Sequence, residues 1–404
     1  MRPRSAVVLI LFIIGSLSLS GQPARAAGNL RLGPFKIRPS LALTEMIDSN
    51  VCRSDGADCL VDGEVEDGGD SVTLISPGVR VVLPIRRHDL EVEYNGEIAR
   101  YGSLTSEDYE NHTVRAGFHF DSPMGFTASA EDRFRHAHDP RGESQNLELD
   151  IFNENTASVT AGQALGSKLS VQAAFRYMTI HYDDSRNDFR DRKEGTAGGT
   201  VFYRFFPKTS GLVEVRWTGV SYDKDVEPMS RDSTVVNVLT GVSYEITAKS
   251  KGVLKAGLEN RNFKDGDRND YTGLALSMDV EHELTPKTFL KARAERRSNE
   301  SYLSAQDYNV RTGFALLADH RFTDKITADA AVSYARETYP SDQTIDIQTD
   351  KRKDNTFKGG IGVKYWILRW INVGAKIDFE NRNSNFSVYD YKDQRYAFTV
   401  ALVL

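Results

Sequence analysis

Apolar and polar residues alternate with a period of two along almost the whole chain. Leu90, Val92, Tyr94, Gly96 and Ile98 are interleaved with Glu91, Glu93, Asn95, Glu97 and Ala99. Leu169, Val171, Ala173, Phe175 and Tyr177 alternate with Ser170, Gln172, Ala174 and Arg176, and the stretches 326–334 and 371–380 repeat the pattern. Successive side chains of a strand point to opposite faces, so this periodicity specifies strands with one apolar and one polar face. No segment spaces its apolar residues three and four apart, as an amphipathic helix requires.

The pattern divides into eighteen strands: 35–47, 71–84, 89–102, 111–120, 125–135, 146–164, 168–182, 194–206, 210–222, 232–246, 251–263, 270–284, 289–300, 308–322, 326–339, 355–367, 371–381 and 393–404. Short connections with turn chemistry, such as Asp121-Ser122-Pro123, Gly166-Ser167 and Thr285-Pro286-Lys287, alternate with longer polar ones. The longer ones are 48–70, 103–110, 136–145, 183–193, 223–231, 264–269, 301–307, 340–354 and 382–392. Strict alternation puts all the turns at one end and all the loops at the other. This predicts an all-β fold, a transmembrane antiparallel β-barrel of about 18 strands with short periplasmic turns and longer extracellular loops. A sandwich of that many strands, each well beyond the usual 5–6 residues, is the poorer fit. A tilted strand crosses the hydrocarbon in about 9–11 residues, which the segments exceed.

The two faces differ in a way that fixes their direction. One carries Val114, Ala116, Phe118 and Phe120; Val213, Val215 and Trp217; Leu274, Leu276, Met278 and Val280. The other carries charge in mid-strand: Arg115 and His119, Glu131 and Arg133, Arg176, Glu214 and Arg216, Lys255, Glu259 and Arg261, Lys291, Arg293, Glu295 and Arg297, Lys376 and Asp378. An Arg or Lys facing lipid at mid-membrane costs about 2–4 kcal/mol, so the charged face is expected to line the lumen. There the charges either tune an open pore or lock into ion pairs that close it. Tyr203, Phe205, Tyr244 and Tyr365 near the turns, with Tyr177, Tyr334, Phe379 and Tyr396 near the loops, are placed as two interfacial girdles.

Composition alone separates little: 27% charged residues, mean hydropathy −0.44 and net charge −6 suit a soluble or a barrel protein. The ends say more. Arg2 and Arg4, the apolar run from Ala6 to Leu17 and Ala24-Arg25-Ala26 read as a signal peptide over residues 1–26, leaving 27–404 as the barrel. Cys52 and Cys59, the chain's two cysteines, are expected to pair in an oxidising compartment and stiffen a loop. The last strand places Tyr396, Phe398, Val400, Leu402 and Leu404 on one face. It is similar to the terminal signal by which the barrel assembly machinery receives outer-membrane proteins, with Leu in place of the commoner Phe.

The opening strand FKIRPSLALTEMIDSNV, the second strand SVTLISPGVRVVLP with its mid-strand Ile-Ser-Pro-Gly tract, and the tail YKDQRYAFTVALVL carry a family likeness. Together with the all-strand layout between them, they resemble the outer-membrane β-barrel porin family associated with bacterial exopolysaccharide export clusters. The resemblance implies a channel that exports a secreted polysaccharide, in contact with lipid bilayer and lipopolysaccharide and served by a periplasmic export partner. A general diffusion porin for small polar solutes would use the same barrel. Three polar clusters were weighed for chemistry: His136, His138 and Asp139; His181 with Asp183, Asp184 and Ser185; and Asp265, Asp267 and Asp270. A protease at the first would need further acidic partners from distant strands, and His181 falls on the lipid-facing parity. The aspartates lack the Glu twelve positions along and the flanking helices of a calcium loop, so no enzyme, metal, cofactor or nucleic acid is expected.

Overall fold

The computed structural model describes residues 30–404 except 62–63, 143–148, 225–229, 248, 304–305 and 346. The segment read as a signal peptide, residues 1–26, lies outside the described residues. One antiparallel sheet of nineteen strands holds eighteen that form the wall and one short strand, Leu30–Leu32, folded back on Phe35–Ile37. In chain order the wall strands are β1 (Phe35–Asp48), β2 (Asp70–Ile85), β3 (His88–Tyr101), β4 (Tyr109–Asp121), β5 (Phe126–His138), β6 (Ile151–Leu165), β7 (Leu169–Tyr182), β8 (Arg192–Phe206) and β9 (Thr209–Tyr222). They continue as β10 (Ser233–Thr247), β11 (Ser250–Phe263), β12 (Tyr271–Thr285), β13 (Thr288–Glu300), β14 (Tyr308–Arg321), β15 (Ile326–Ile345), β16 (Gln348–Leu368), β17 (Ile371–Ser384) and β18 (Tyr391–Val403).

Each strand pairs with its sequence neighbours, and β18 pairs back on β1 from Ser40↔Val403 to Asp48↔Arg395. The sheet is therefore a closed barrel with its terminal strand edges satisfied, as backbone in lipid requires. Leu41, Leu43, Val114, Phe118, Val213, Val215, Trp217, Leu254, Leu258, Leu274, Phe314, Ile361, Ile377 and Phe398 all stand exposed on the outward face. An apolar band running round the whole wall has only lipid as a matching solvent.

Three details depart from the sequence expectation. Residues 340–354, expected as a loop, continue the β15–β16 hairpin, paired from Asp342↔Lys351 to Ile345↔Gln348 beyond a register shift after Thr338. That hairpin buries Arg352 and Asp354 on one face and exposes Lys351 and Lys353 on the other, so its alternation is polar on both faces and reads as loop. The sixth strand is described from Ile151, residues 146–148 of the expected 146–164 lie outside the described residues, and β5 runs on to His138 to pair with it. In β2 the ladder to β3 jumps from Ile75↔Ile98 to Gly78↔Asn95. Pro77 has no N–H to give at that point, and Gly96 opposite it leaves room, since a Cβ there would meet the proline ring at 3.0 Å.

The wall is also incomplete at one seam. Pairing of β12 with β13 stops at Leu276↔Arg296, leaving Tyr271–Ala275 without a partner on that edge. Beyond Arg296, β13 leans into the lumen: Ser298 N donates to Glu259 Oε1 at 2.8 Å and Arg261 reaches Glu300 at 2.5 Å. The strand stays paired with β14 out to Glu300↔Tyr308, so the whole hairpin tip tilts inward.

Candidate functional site: the lumen and its outer mouth

The lumen wall is built by the polar parity of each strand. Arg115 reaches Glu91 at 2.6 Å and Glu131 at 3.0 Å, linking β3, β4 and β5. Glu154 of β6 takes Arg133 at 3.1 Å and Arg135 at 3.6 Å. On the far side Lys255 spans two strands to Glu214 at 2.9 Å, and Glu214 also holds Arg216. Lys291 pairs with Glu281 at 2.6 Å and Arg293 with Asp279 at 3.0 Å. Glu295 is shared by Arg297 and Arg311 at 3.4 and 3.2 Å, and Lys376 meets Asp378 at 2.8 Å. Arg176 has no ion-pair partner among the described residues. These charges stand on the strand parity opposite the exposed apolar band, mostly as short ladders between neighbouring strands. Such ladders satisfy charge locally and leave the wall polar.

The outer end is different. There the inward positions at the strand ends are aromatic: Tyr101, Tyr109, Phe152, Tyr182, Tyr222, Phe263, Tyr271, Tyr339 and Tyr391. Loops fold in over them in two groups, each organised by buried arginines. In the first, the described residues of the loops 183–191, 223–232 and 301–307 converge. Arg231 is fully buried and donates to four backbone carbonyls, those of Phe189, Ser301 and Gln306 at 3.3 Å and Asp307 at 3.5 Å. Its guanidinium lies 4.5 Å from the centre of the Tyr222 ring, a cation–π contact strengthened by the dry setting. Arg190 lies over Tyr182 and Tyr302, at 4.0 and 5.0 Å. It is paired with Asp139, and with Asp150 at 3.3 Å. Burial alone pushes its guanidinium down, but Asp139, the Tyr182 hydroxyl and Asp150 outweigh this and hold it above its ordinary value.

The second group joins described residues of the loops 49–69, 139–150 and 385–390. Arg382 donates to the Gly142 carbonyl and faces the Tyr391 ring at 4.9 Å. Arg53 donates to the Arg141 carbonyl at 3.3 Å and approaches Glu380 at 3.7 Å. Arg352 pairs with Asp354 at 2.6 Å and packs on Tyr389 at 3.3 Å and Tyr339 at 4.9 Å. These loop arginines were not selected from the sequence, because a charged loop reads as solvated until its burial is seen.

A repeated aspartate fixes the loops, and it was visible but unread. Asp108, Asp150, Asp191, Asp232, Asp270, Asp307 and Asp390 each stand immediately before a descending strand. Five of them accept the backbone N–H at the end of the preceding strand: Asp108 from Tyr101 at 2.8 Å, Asp191 from Tyr182 at 2.8 Å, Asp232 from Tyr222 at 2.7 Å, Asp270 from Phe263 at 2.9 Å and Asp390 from Ser384 at 2.5 Å. The Asp-Tyr dipeptide at 108–109, 270–271, 307–308 and 390–391 is the sequence trace of this device.

The family model described as "Putative beta-barrel porin 2" matches residues 22–403. The chain belongs to this family. It is thus a porin-like β-barrel of the bacterial outer membrane. No curated protein matches its sequence. Solved structures similar to it include OpdO of Pseudomonas aeruginosa, at 12% identity over 91% of this chain and 97% of that one, with a TM-score of 0.46. The outer membrane protein OpdK of the same organism is 10% identical over 91% and 99%, with a TM-score of 0.44. The FrpB iron transporter of Neisseria meningitidis is 10% identical over 88% of this chain, which spans only 62% of FrpB, with a TM-score of 0.44. Likenesses this distant carry no argument about what crosses the lumen.

Within a member of this family the remaining polar clusters have local explanations. His136 meets Asn153 at 3.0 Å, His138 meets Asn111 at 3.1 Å, and His181 is bonded to Asp191 on the outward side. Asp265 accepts the N–H groups of Asp267 and Ser230, and Asp270 caps Phe263. Among the described residues no group of three or more His, Cys, Asp or Glu is arranged to hold a metal ion. Cys52 and Cys59 are disulfide-bonded, with Cα atoms 5.4 Å apart. The bridge packs with Val51 against Leu104 and Tyr101, so it ties the 49–69 loop onto its neighbour.

Proposed function

We propose that this outer-membrane channel exports a polar polymer, an exopolysaccharide, and that its outer mouth is gated. The observation that carries the reading is the two inward loop groups held by Arg190, Arg231, Arg53 and Arg382 above a polar, ion-paired lumen. A polymer conduit must stay shut when idle, because a barrel of this width would otherwise pass small solutes. Arginines on aromatic rings also offer the incoming chain the two contacts a sugar polymer uses: stacking faces and charged donors. The resemblance to the polysaccharide-associated porins supports the same reading. The lumen charges Arg115, Glu131, Arg133, Arg176, Glu214, Arg216, Lys255, Glu259, Arg261, Lys291, Arg293, Glu295, Arg297, Lys376 and Asp378 are proposed as the wall of this conduit. A periplasmic export partner would deliver the polymer to the turn end, and no catalytic role is assigned to any residue.

Deletion of the gene tests the reading. Cells lacking it are expected to synthesise the polymer and fail to display it. Unchanged surface polysaccharide in the deletion strain would overturn it. Large, persistently open currents from the purified protein would instead favour a general diffusion porin.

A further inference from the structure

The outward face of the wall carries one set of positive charges that the channel reading does not use. Above the aromatic girdle of Phe314, Tyr334 and Phe357, the ladder places Arg296 beside Thr312, Thr312 beside Arg336, and Arg336 beside Asn355. Arg296 shares its face with Leu276 and Ala294 at the last paired position of the open seam. Lys353 stands two residues beyond Asn355 on the same face, next to Thr338. Arg336 and Lys353 are exposed, and Arg296 donates to Thr312 Oγ1 at 2.6 Å. None of the three has a carboxylate within ion-pair distance among the described residues, whereas most arginines of the lumen do.

Adjacent like charges on one face of a sheet repel, and here the sheet supplies no counter-charge. The neighbouring outward positions Thr272, Thr338, Asn355, Asn381 and Asn383 offer hydroxyls and amides but no acid. Elsewhere the same outward face does carry acids, as Glu45 of β1, Glu110 of β4 and Asp132 of β5. The basic set is therefore a local feature and not a general property of the rim.

The geometry points to a binding site for the phosphate of an outer-leaflet glycolipid, lipid A, formed by Arg296, Arg336 and Lys353. The height fits: aromatic rings mark the hydrocarbon boundary, and the cations lie one or two ladder steps beyond it, where a lipid-borne phosphate resides while its acyl chains lie along Leu276, Phe314 and Val332. Thr312 and Asn355 lie between the cations to hydrogen-bond phosphate or sugar oxygens. The site is independent of what crosses the lumen.

The test uses the full chain, purified and folded in detergent, with bisphosphorylated lipid A as the probe. Lipid A freed of its phosphates, phosphatidylglycerol and inorganic phosphate serve as comparisons. Wild-type protein is expected to retain bisphosphorylated lipid A above all three. R296Q/R336Q/K353Q is expected to lose about a hundredfold in affinity, from three near-surface charges. If the triple variant fails to fold, R336Q and K353Q singly, both at exposed positions, are each expected to lose about fivefold. Unchanged lipid A affinity in the folded variants would overturn the site. So would equal retention of dephosphorylated lipid A, phosphatidylglycerol or inorganic phosphate by the wild type.

Discussion

The two ends of the lumen obey the same alternation and are built oppositely. At the turn end the inward positions are mostly small or charged, as with Thr127, Ala164, Ser170, Ser210 and Ser243, and the connections are a few residues long. At the loop end the inward positions are aromatic and the loops fold back over them, with Arg231, Gln306 and Phe386 almost completely buried. The difference teaches that stability at the outer mouth is local and removable: a set of loop contacts laid on a wall that stands without them. Four perturbations separate the ends.

The largest effect is expected from Arg231. Orphaning a buried acceptor costs about 1–3 kcal/mol, and Arg231 holds three loops by four such carbonyls. Arg231→Ala should expose the 223–232 and 301–307 loops to protease and to hydrogen exchange. The wall strands should stay protected. Loss of protection along β10 and β14 as well would mean that the mouth and wall are one cooperative unit, and the contrast would fail.

The wall answers to parity instead. Ala292→Arg, placed toward lipid, should lower barrel stability by about 2–4 kcal/mol. The native Arg293 faces Asp279 and Lys291 faces Glu281. In a background lacking Cys52 and Cys59, a cysteine replacing Arg293 should react with a small water-soluble thiol reagent and one replacing Ala292 should not. The reverse pattern would shift the register of β13 by one residue and turn its charges into lipid.

A smaller effect is expected from the aspartates that close the loops. Asp232 accepts the Tyr222 N–H and pairs with Lys264 at 2.8 Å. Asp232→Ala should loosen the outer end of β9 by about 1–3 kcal/mol, the usual effect of orphaning a buried donor, read as faster exchange at Tyr222. A comparable effect, confined to one loop, is expected from the disulfide. Reducing Cys52–Cys59 releases a loop of seven-residue separation. It should cost the 49–69 loop about 2–3 kcal/mol in the chain-entropy picture and leave the thermal unfolding of the wall unchanged.

The contrast between wall and mouth is also the line between what the sequence discloses and what it hides. The wall was legible because lipid enforces one rule at every strand: Leu274, Leu276, Met278 and Val280 must share a face, and Lys291, Arg293 and Glu295 must share the other. Strand number, closure and the inward set followed from that rule. At the mouth no solvent enforces a period. The 183–193 stretch, almost entirely charged, reads as a solvated loop, yet Arg190 is buried between two tyrosines. The β15–β16 projection escaped because its buried face is polar, formed by Arg352 and Asp354, and so shows no apolar period. Only the aspartate that recurs before seven of the nine descending strands left a mark. It was missed because its role depends on a backbone N–H several residues upstream.

Conductance of single purified channels in planar bilayers tests the central claim, that the channel is shut at its outer mouth by loops and not by its wall. The wild-type protein should show rare or brief openings. Arg190→Ala with Arg231→Ala should open it persistently, since releasing even 3 kcal/mol shifts a closed–open equilibrium by about a hundredfold. The account is contradicted by a wild type that is already open and conducting, or by a double variant, folded by heat-modified mobility, that stays as closed as the wild type.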